Sequence, residues 1–483
     1  MAHTHPLLVL DVGGGTLRLG FAAGVPSCGR RKGAVRAEPN CCGEPWPKRG
    51  GAKSLRLYGE ELAQKLPSYQ LQRPSRRGLL LDLQMQKKIW MDVLSRLDLQ
   101  GRKLSDLAVL AVLAPLTPEV VVQEVVAILV EDLGFADASV VESCSVALKS
   151  PGLSSMLRSC SPSPCCTVLS LGFSACFAQP CVEGKAIGSA GRRCPVGGRV
   201  LTNLLLESLK LRHYDLSHSW LLAQDILEKT CLVVRDAKQT QIPPKPVTYV
   251  LPDDKCMSGY VAETENEEST ETGSKQSVTL SLERLIPEAL FRPQDFGIPS
   301  AGVSELVVQA ITAVCEVTWR PFLSRLVLCG ALARLPGLCQ RLQRELRAEL
   351  PSEWPVELLM EEEPEWSVWQ GAVQHALHAE GLWGRVNPAD QMDDEEVEEE
   401  EEDQPSVPSP AAPVAPSAPV MPLMRARGKR PAAELAVKPG APPLADPAPP
   451  ADAAIAPRSL LKRRPSAASD GPLEPTTGVA KKK

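Results

Sequence analysis

The sequence lacks the signals of several common protein classes. None of its 15 cysteines lies at the CxxC spacing of zinc ribbons and thioredoxin-like redox proteins. It has no run of 18 apolar residues, so we expect no membrane span. Aromatic residues make up only 4% of the 483 residues, which indicates that part of the chain is not packed core. The expected state of the cysteines is that of free, buried thiols in a reducing compartment.

The C-terminal part of the chain has little that could pack into a core. Residues 404–483 contain 18 of the 45 prolines and no Cys, Phe, Trp or Tyr. Such a segment cannot bury enough apolar surface to offset the entropy lost on ordering, so we predict a disordered, Pro/Ala-rich basic tail. An acidic block at 386–403 precedes it, in which ten of the eleven residues from Asp393 to Asp403 are acidic. Like charges at this density stay solvated.

Basic clusters in the tail are typical of nuclear-import signals or nucleic-acid contacts. They lie at Arg425–Arg430, Lys462–Arg464 and Lys481–Lys483. We therefore expect a location in the nucleus, with the cytoplasm as a second compartment. A solvated charge run without a receptor is the alternative interpretation.

Apolar runs that end at glycine recur along the chain. They lie at 10–15, 168–172 and 326–330, and each predicts a buried strand followed by a tight turn. Apolar residues at helical spacing predict helices over about 83–96, 118–133, 197–209, 221–233 and 336–346. Because glycine turns let backbone amides approach phosphate oxygens, three of them favour a nucleotide bound between two lobes.

Seven segments, in the same order, resemble the actin family. They are LVLDVGGGTLRLGFAAG at 8–24, APLTP at 114–118, VGGRVLTNLL at 196–205, DILEKTCLV at 225–233, EALFRPQDFGIPSAGVSELVVQAI at 288–311, LVLCGALARLPGL at 326–338 and SVWQGA at 367–372. The resemblance implies the actin-like α/β fold, shared with Hsp70 chaperones and sugar kinases, in which two lobes enclose a central nucleotide cleft.

The resemblance also implies a domain organisation. Residues 1–150 are expected to form the N-terminal part of lobe one, and 151–385 to form lobe two with a return to lobe one. The polar stretch at 257–276 is expected to be a surface insertion. The stretch at 24–54, rich in Gly, Pro, Cys and basic residues, is expected to form loops.

The first glycine loop supplies most of the nucleotide site that the resemblance implies. Asp11 matches the carboxylate that holds a hydrated Mg²⁺ through water, and Mg²⁺ prefers oxygen ligands. Gly13, Gly14, Gly15 and Thr16 match the phosphate cradle. The expected cofactor is ATP or ADP with Mg²⁺. A triple glycine kept only for a tight turn, with the Asp capping that turn, is the alternative.

The other candidate binding residues are spread over the chain. Arg18 stands where actins have a phosphate-binding Lys, and a guanidinium holds phosphate with a different geometry. Glu228 matches an adenosine-contacting Glu, while Gly172 and Gly330 belong to the second and third loops. The alternative places Arg18 on a solvated strand face and pairs Glu228 with Lys229 as ordinary exposed helix residues.

The second loop departs from the family pattern. Where actins read Asp-Ser-Gly-Asp-Gly-Val-Thr-His, this chain reads SLGFSACF from Ser170 to Phe177. Ser170 thus replaces the second cation-side Asp, and Phe177 replaces the His that orders the attacking water. Ser143 aligns with the Gln that positions this water, and Ala331 replaces a glycine of the third loop. Since hydrolysis needs a positioned water and charge neutralisation, we predict no catalytic residues and no enzyme activity.

Shorter segments resemble a nuclear branch of actin-related proteins, among them RRGLLLDLQMQKKIW at 76–90 and VTYVLPD at 247–253. This implies a non-catalytic scaffold subunit of a Swr-type chromatin remodeller, which exchanges variant histone into nucleosomes. The implied partners are the remodelling ATPase, a zinc-finger HIT-type protein, and the histones and DNA of the nucleosome, but no membrane. The alternatives are a cytoskeletal, dynactin-type actin-related protein and, from the fold alone, an active ATPase.

Overall fold

The structure, a computed structural model, describes most of the chain between residues 6 and 379. The described residues are 6–22, 35–45, 56–59, 62, 69–99, 101–159, 163–217, 219–237, 240, 242–252, 259–262 and 276–379. The predicted acidic block and tail lie outside them, as does most of the insertion at 257–276. Within these ranges, no helix has both the length and the apolar character needed to cross a membrane.

The described residues form strands and helices in a mixed order along the chain. The strands are β1 (Leu7–Val12), β2 (Thr16–Phe21), β3 (Val35–Pro39), β4 (Cys42–Pro45), β5 (Leu57–Tyr58), β6 (Tyr69–Gln72), β7 (Ser75–Arg76), β8 (Leu79–Leu80), β9 (Ala108–Leu113), β10 (Asp137–Glu142), β11 (Cys165–Leu171), β12 (Cys176–Val182), β13 (Lys185–Ala186), β14 (Arg192–Cys194), β15 (Val247–Val250), β16 (Tyr260–Val261), β17 (Ser277–Leu280), β18 (Leu326–Cys329) and β19 (Leu358–Met360). The α-helices are α1 (Leu83–Ser95), α2 (Glu119–Ala127), α3 (Ser143–Ala147), α4 (Pro151–Ser159), α5 (Gly198–Arg212), α6 (Trp220–Thr230), α7 (Val303–Ile311), α8 (Trp319–Leu323), α9 (Leu338–Glu349) and α10 (Ser367–Ala379). A π-helical stretch at Ile128–Asp132 continues α2, and the longest 3₁₀ segment is Leu282–Leu290.

The first sheet is built around the apolar strand that precedes the first glycine loop. Its order is β10-β9-β1-β2-β3, in which β1, β9 and β10 are parallel and β2 and β3 antiparallel. Alternate residues of β1 face opposite sides of the sheet. Leu8 and Leu10 pack with α1, whereas Leu7 and Val9 pack with α10. The last described helix therefore returns to the sheet that the start of the chain forms.

The second sheet repeats this arrangement later in the chain. Its order is β13-β12-β11-β18-β19, with β14 paired to β12 and with β11, β18 and β19 parallel. Helices α5, α6, α7 and α9 contribute to its core. Because parallel strands bring their carboxyl ends to one edge, each sheet presents its glycine turns along a single edge.

Most of the predicted elements are confirmed, with small shifts at their ends. The helix predicted at 118–133 consists of α2 and its π-helical continuation. The prediction of loops at 24–54 is wrong for β3 and β4. β3 completes the first sheet beside β2, and its Glu38 is buried because Arg96 binds it at 2.6 Å. Because a charged residue is not expected at a buried strand position, the sequence pattern did not indicate this strand.

The expectation of buried free thiols is confirmed for the cysteines that the structure describes. Ten of these twelve are buried and none forms a disulfide, while Cys315 is exposed. Burial raises the pKa of the Cys329 thiol to about 12 and holds that of Cys176 well above its ordinary value. Neutral thiols of this kind are unreactive.

A fully buried arginine links helices and loops of the second half. Arg341 on α9 binds Glu288 through Nη1 at 3.0 Å and Glu345 through Nε at 2.5 Å. Its Nη1 also donates to the carbonyl of Val234 at 3.0 Å, and its guanidinium lies 5.1 Å from the ring centre of Phe291. Burial raises the pKa of Glu288, and the nearby Arg341 charge opposes that rise. The Arg341 guanidinium therefore stabilises the charged form of Glu288.

We predict that Arg341→Met strongly destabilises the fold, because it leaves Glu288 buried without its charged partner. Removing one member of a buried ion pair costs about 3–5 kcal/mol. The measurement is urea unfolding of the full chain. Arg344→Met on the same helix is the matched control, since its 63% exposed side chain pairs with Asp236 at the surface and such pairs contribute about 0–1 kcal/mol. Equal losses in the two variants would contradict this account.

Candidate functional site

A cavity lies where glycine turns from the two sheets meet. Its volume is about 170 Å³, and residues from both halves of the chain line it. Eight of the nine candidate binding residues are among them, namely Asp11, Gly13, Gly14, Gly15, Thr16, Arg18, Gly172 and Gly330. Ser143, Ser170, Phe177 and Ala331, the positions that depart from the family pattern, line the cavity as well. The structure thus brings together residues that lie up to about 320 positions apart.

Glu228 is the candidate that the structure places elsewhere. It lies on the exposed side of α6, where its Oε1 accepts a hydrogen bond from Gln224 Nε2 at 2.7 Å. It does not line the cavity. Its exposure matches the alternative interpretation, but the pairing with Lys229 does not occur, since Lys229 pairs with Asp225 at 2.8 Å.

A buried amide pair braces the first glycine loop. Asn40 Nδ2 donates to the carbonyl of Gly13, and the backbone N–H of Asn40 donates to that of Gly15, both at 2.9 Å. Asn40 and Gln86 exchange side-chain hydrogen bonds of 3.0 and 3.1 Å and are fully buried. Arg73 Nη1 also donates to Gly15 O at 3.3 Å. The carbonyl groups of Gly13 and Gly15 are therefore bonded within the protein, which helps to fix the shape of the loop.

The candidate metal-binding carboxylate is already paired. Asp11 and Arg18 lie opposite each other on β1 and β2, and Arg18 Nη1 lies 3.0 Å from Asp11 Oδ2. Burial raises the pKa of Asp11, while the Arg18 guanidinium opposes the rise. The guanidinium also stacks over the Trp366 ring, 4.7 Å from its centre. A cation belonging to the chain itself thus neutralises this carboxylate.

Second-loop side chains fill the space beside the first loop. A Cβ on Gly15 would lie 2.6 Å from Cγ of Phe173, and one on Gly14 would lie 2.6 Å from Cβ of Ser174. Ser174 Oγ also accepts a hydrogen bond from the backbone N–H of Gly78 at 2.9 Å. Gly14 and Gly15 therefore lack a Cβ where the second loop packs against them. The second-loop side chains occupy the space that a phosphate would need.

These contacts do not fit the expected magnesium nucleotide. Pockets for small organic ligands measure about 300–1,000 Å³, well above the 170 Å³ found here. The carboxylates that line the cavity are Asp11 and Glu365, and each has an arginine partner, Arg18 at 3.0 Å and Arg334 at 2.8 Å. Among the described residues, no group of three or more His, Cys, Asp or Glu side chains could hold a metal ion. Binding of ATP or ADP with Mg²⁺ stays a prediction, and this geometry opposes it.

Two residues that contact the cavity-lining Phe173, namely Arg73 and Trp220, carry no functional signal in the sequence. The Arg73 guanidinium lies 4.4 Å from the ring centre of Phe173 and 4.7 Å from that of Trp220. The two rings meet edge to face, with centres 5.5 Å apart. We call Arg73, Phe173 and Trp220 the aromatic clasp. Only Phe173 left a signal in the sequence, since it stands where actins have an acidic residue.

We predict that Arg18→Met destabilises the chain more at pH 8 than at pH 5. Without the guanidinium, the pKa of Asp11 rises further above its unfolded value near 3.8. A carboxyl group with a raised folded pKa takes up a proton on folding, so stability falls as pH rises through the range between the two values. The measurement is the melting temperature of variant and unmodified chain at both pH values.

The matched control for this experiment is Arg56→Met. It breaks the Arg56–Glu44 pair, which is 3.2 Å long and whose side chains are 41% and 40% exposed. Exposed pairs contribute little to stability, so we expect a small loss that is the same at both pH values. If the loss of stability in Arg18→Met were also independent of pH, the pKa of Asp11 would not depend on the Arg18 guanidinium.

Comparisons with known proteins extend these observations. The family model described as Actin matches residues 2–380. An actin-related protein 6 of Oryza sativa subsp. indica is 28% identical over 410 residues, which cover 76% of this chain and 91% of that protein. The Arabidopsis thaliana actin-related protein 6 is 28% identical over 396 residues, with the same shares covered. An actin-like protein ARP6 of Yarrowia lipolytica is 29% identical over 308 residues, or 62% of this chain and 76% of that protein.

The predicted resemblance and the α/β fold are therefore confirmed. The branch that the segments at 76–90 and 247–253 resemble is that of actin-related protein 6, the name that the similar proteins carry. The family match covers more than half of the chain and includes every residue of the cavity. This chain belongs to the actin family.

Proposed function

We propose that this chain is a non-catalytic docking subunit of a nuclear chromatin-remodelling assembly. Its similarity to several proteins named actin-related protein 6 supports the proposal, because the resemblance implies membership of Swr-type remodellers that exchange variant histone into nucleosomes. The expected partners are the remodelling ATPase, a zinc-finger HIT-type protein, and the histones and DNA of the nucleosome. The expected place of action is the nucleus.

The chemistry of the cavity wall is the observation that carries the non-catalytic part of the proposal. Ser170 and Phe177 lie opposite each other on β11 and β12 and line the cavity together with Ser143. A phenyl ring cannot accept a proton, and a serine hydroxyl carries no charge to neutralise a cation. Each positioning or proton-transfer group typically contributes about 10²–10⁴-fold to a rate. Replacement of all three should remove most of the hydrolysis that the fold can support.

We predict that the purified full chain releases no phosphate from magnesium–ATP above background, because the groups that position and activate water are replaced. The measurement is a phosphate-release assay. Asp11→Ala is the control, since a contaminating ATPase would be unaffected by this change. Mg²⁺-dependent release that Asp11→Ala abolishes would contradict the proposal.

We predict that the tagged full chain, purified from nuclear extract, recovers a remodelling ATPase and a zinc-finger HIT-type protein. The measurement is affinity purification with mass spectrometry, and a tag-only sample is its control. Imaging of the same chain is expected to show a nuclear signal. Recovery of dynactin subunits, with puncta on microtubules, would instead favour the cytoskeletal alternative.

A further inference from the structure

The aromatic clasp joins residues from the two halves of the chain, and one of them, Phe173, lines the cavity. Phe173 belongs to the turn between β11 and β12, and Trp220 is the first residue of α6, both in the second half of the chain. Arg73 precedes β7 in the first half. The Phe173 ring touches the backbone of Gly15 on one side and the Arg73 guanidinium on another. A continuous path of contacts therefore runs from the first glycine loop to α6.

Hydrogen bonds hold the clasp in position. Arg73 Nη1 donates to the carbonyls of Gly15 and Asn40, at 3.3 and 3.5 Å. Trp220 Nε1 donates to Asn203 Oδ1 at 2.9 Å. Burial lowers the pKa of Arg73, and its charge is met by two ring faces and two carbonyl oxygens. Such a desolvated cation over aromatic rings is a stronger contact than the same pair in water.

A second set of contacts runs beside the clasp. The N–H of Gly78 donates to Ser174 Oγ at 2.9 Å, and Arg199 Nη1 donates to the carbonyl of Ser75 at 3.4 Å. A Cβ on Gly78 would lie 2.6 Å from Cζ of Phe177. The segment at 75–78 therefore packs directly on the second loop, and protein contacts connect the two walls without a bridging molecule.

We propose that the aromatic clasp replaces magnesium–nucleotide as the link between the two walls of the cleft, and that Arg18, on the same sheet as Asp11, takes the place of the cation beside that carboxylate. Phe173 fills the space beside Gly15, and Arg18 supplies the positive charge beside Asp11. A cleft that a ligand holds closed gains stability with ligand concentration. This cleft is closed by side chains, so the folded chain is independent of ATP, ADP and Mg²⁺.

The first test uses the unmodified full chain. Its melting temperature is measured with magnesium–ATP, with magnesium–ADP and with EDTA, each at millimolar concentration, and calorimetric titration with both nucleotides follows. We expect the same melting temperature in all conditions and no binding heat. A saturable rise in melting temperature, or a drop in EDTA, would overturn the proposal. This test stands even where a variant fails to fold.

The second test asks whether Phe173 joins the walls or only fills space. Phe173→Leu is compared with Phe21→Leu, a matched control because Phe21 is also half-buried and has the Arg102 guanidinium 5.9 Å from its ring. Phe21 does not line the cavity. We expect Phe173→Leu alone to increase hydrogen–deuterium exchange in both loops, at 13–16 and 172–177. Unchanged exchange in the first loop would overturn the proposal.

The third test measures the coupling between clasp residues. Arg73→Met and Phe173→Leu are made singly and together, and the melting temperatures are compared. Because both changes remove the same contact, we expect the double variant to lose less than the sum of the single losses. Strictly additive losses would show that the guanidinium and the ring act separately, and the clasp would not exist as a unit.

Discussion

Packing at the centre of this molecule depends on the close approach of the first and second glycine loops. The backbone of Gly15 passes so near the Phe173 ring that a single added methyl group would overlap with it. Two sheets must therefore hold β1 and β11 in a fixed relation, and both strands are buried almost along their whole length. Protein interiors are packed densely enough for such a fit to be sensitive to one methylene group. The Phe173 ring of the second loop therefore fits only because the first loop has glycine at this position.

Charge in the interior is balanced by the chain's own arginines. Burial raises the pKa of Asp11 and that of Glu288. The guanidinium beside each carboxyl group, Arg18 or Arg341, opposes that rise. A buried charge is costly unless it is paired. Any divalent cation at Asp11 would have to displace a guanidinium that the neighbouring strand holds in register. Pairing at the cavity therefore follows the same rule as pairing in the core.

The sequence predicted what local patterns can encode. β1, β11, β18 and their glycine turns followed from apolar runs that end at glycine, and α1 followed from helical spacing, because each depends on residues close together in the chain. β3 did not, since its buried Glu38 is paired not only with Arg36 on the same strand but also with Arg96, which is 58 positions away. Glu228 was proposed from the resemblance, and the structure places it on the exposed side of α6, outside the cavity lining. Arg73 and Trp220 lie about 150 positions apart, and only tertiary packing brings them together.

A cleft that its own side chains hold closed suits docking better than turnover. An enzyme must admit substrate and release product, so its cleft has to open during each cycle, and contacts such as the aromatic clasp oppose that opening. A docking subunit has the opposite requirement. A partner surface formed by both halves keeps its spacing only while the halves stay together, and ordering it at the moment of binding would weaken affinity. The second loop, which has Ser170 and Phe177 where actins have Asp and His, also carries Phe173. Two of the residues that replace the hydrolytic groups of actins, and the ring that contacts the first loop, therefore lie within one short segment.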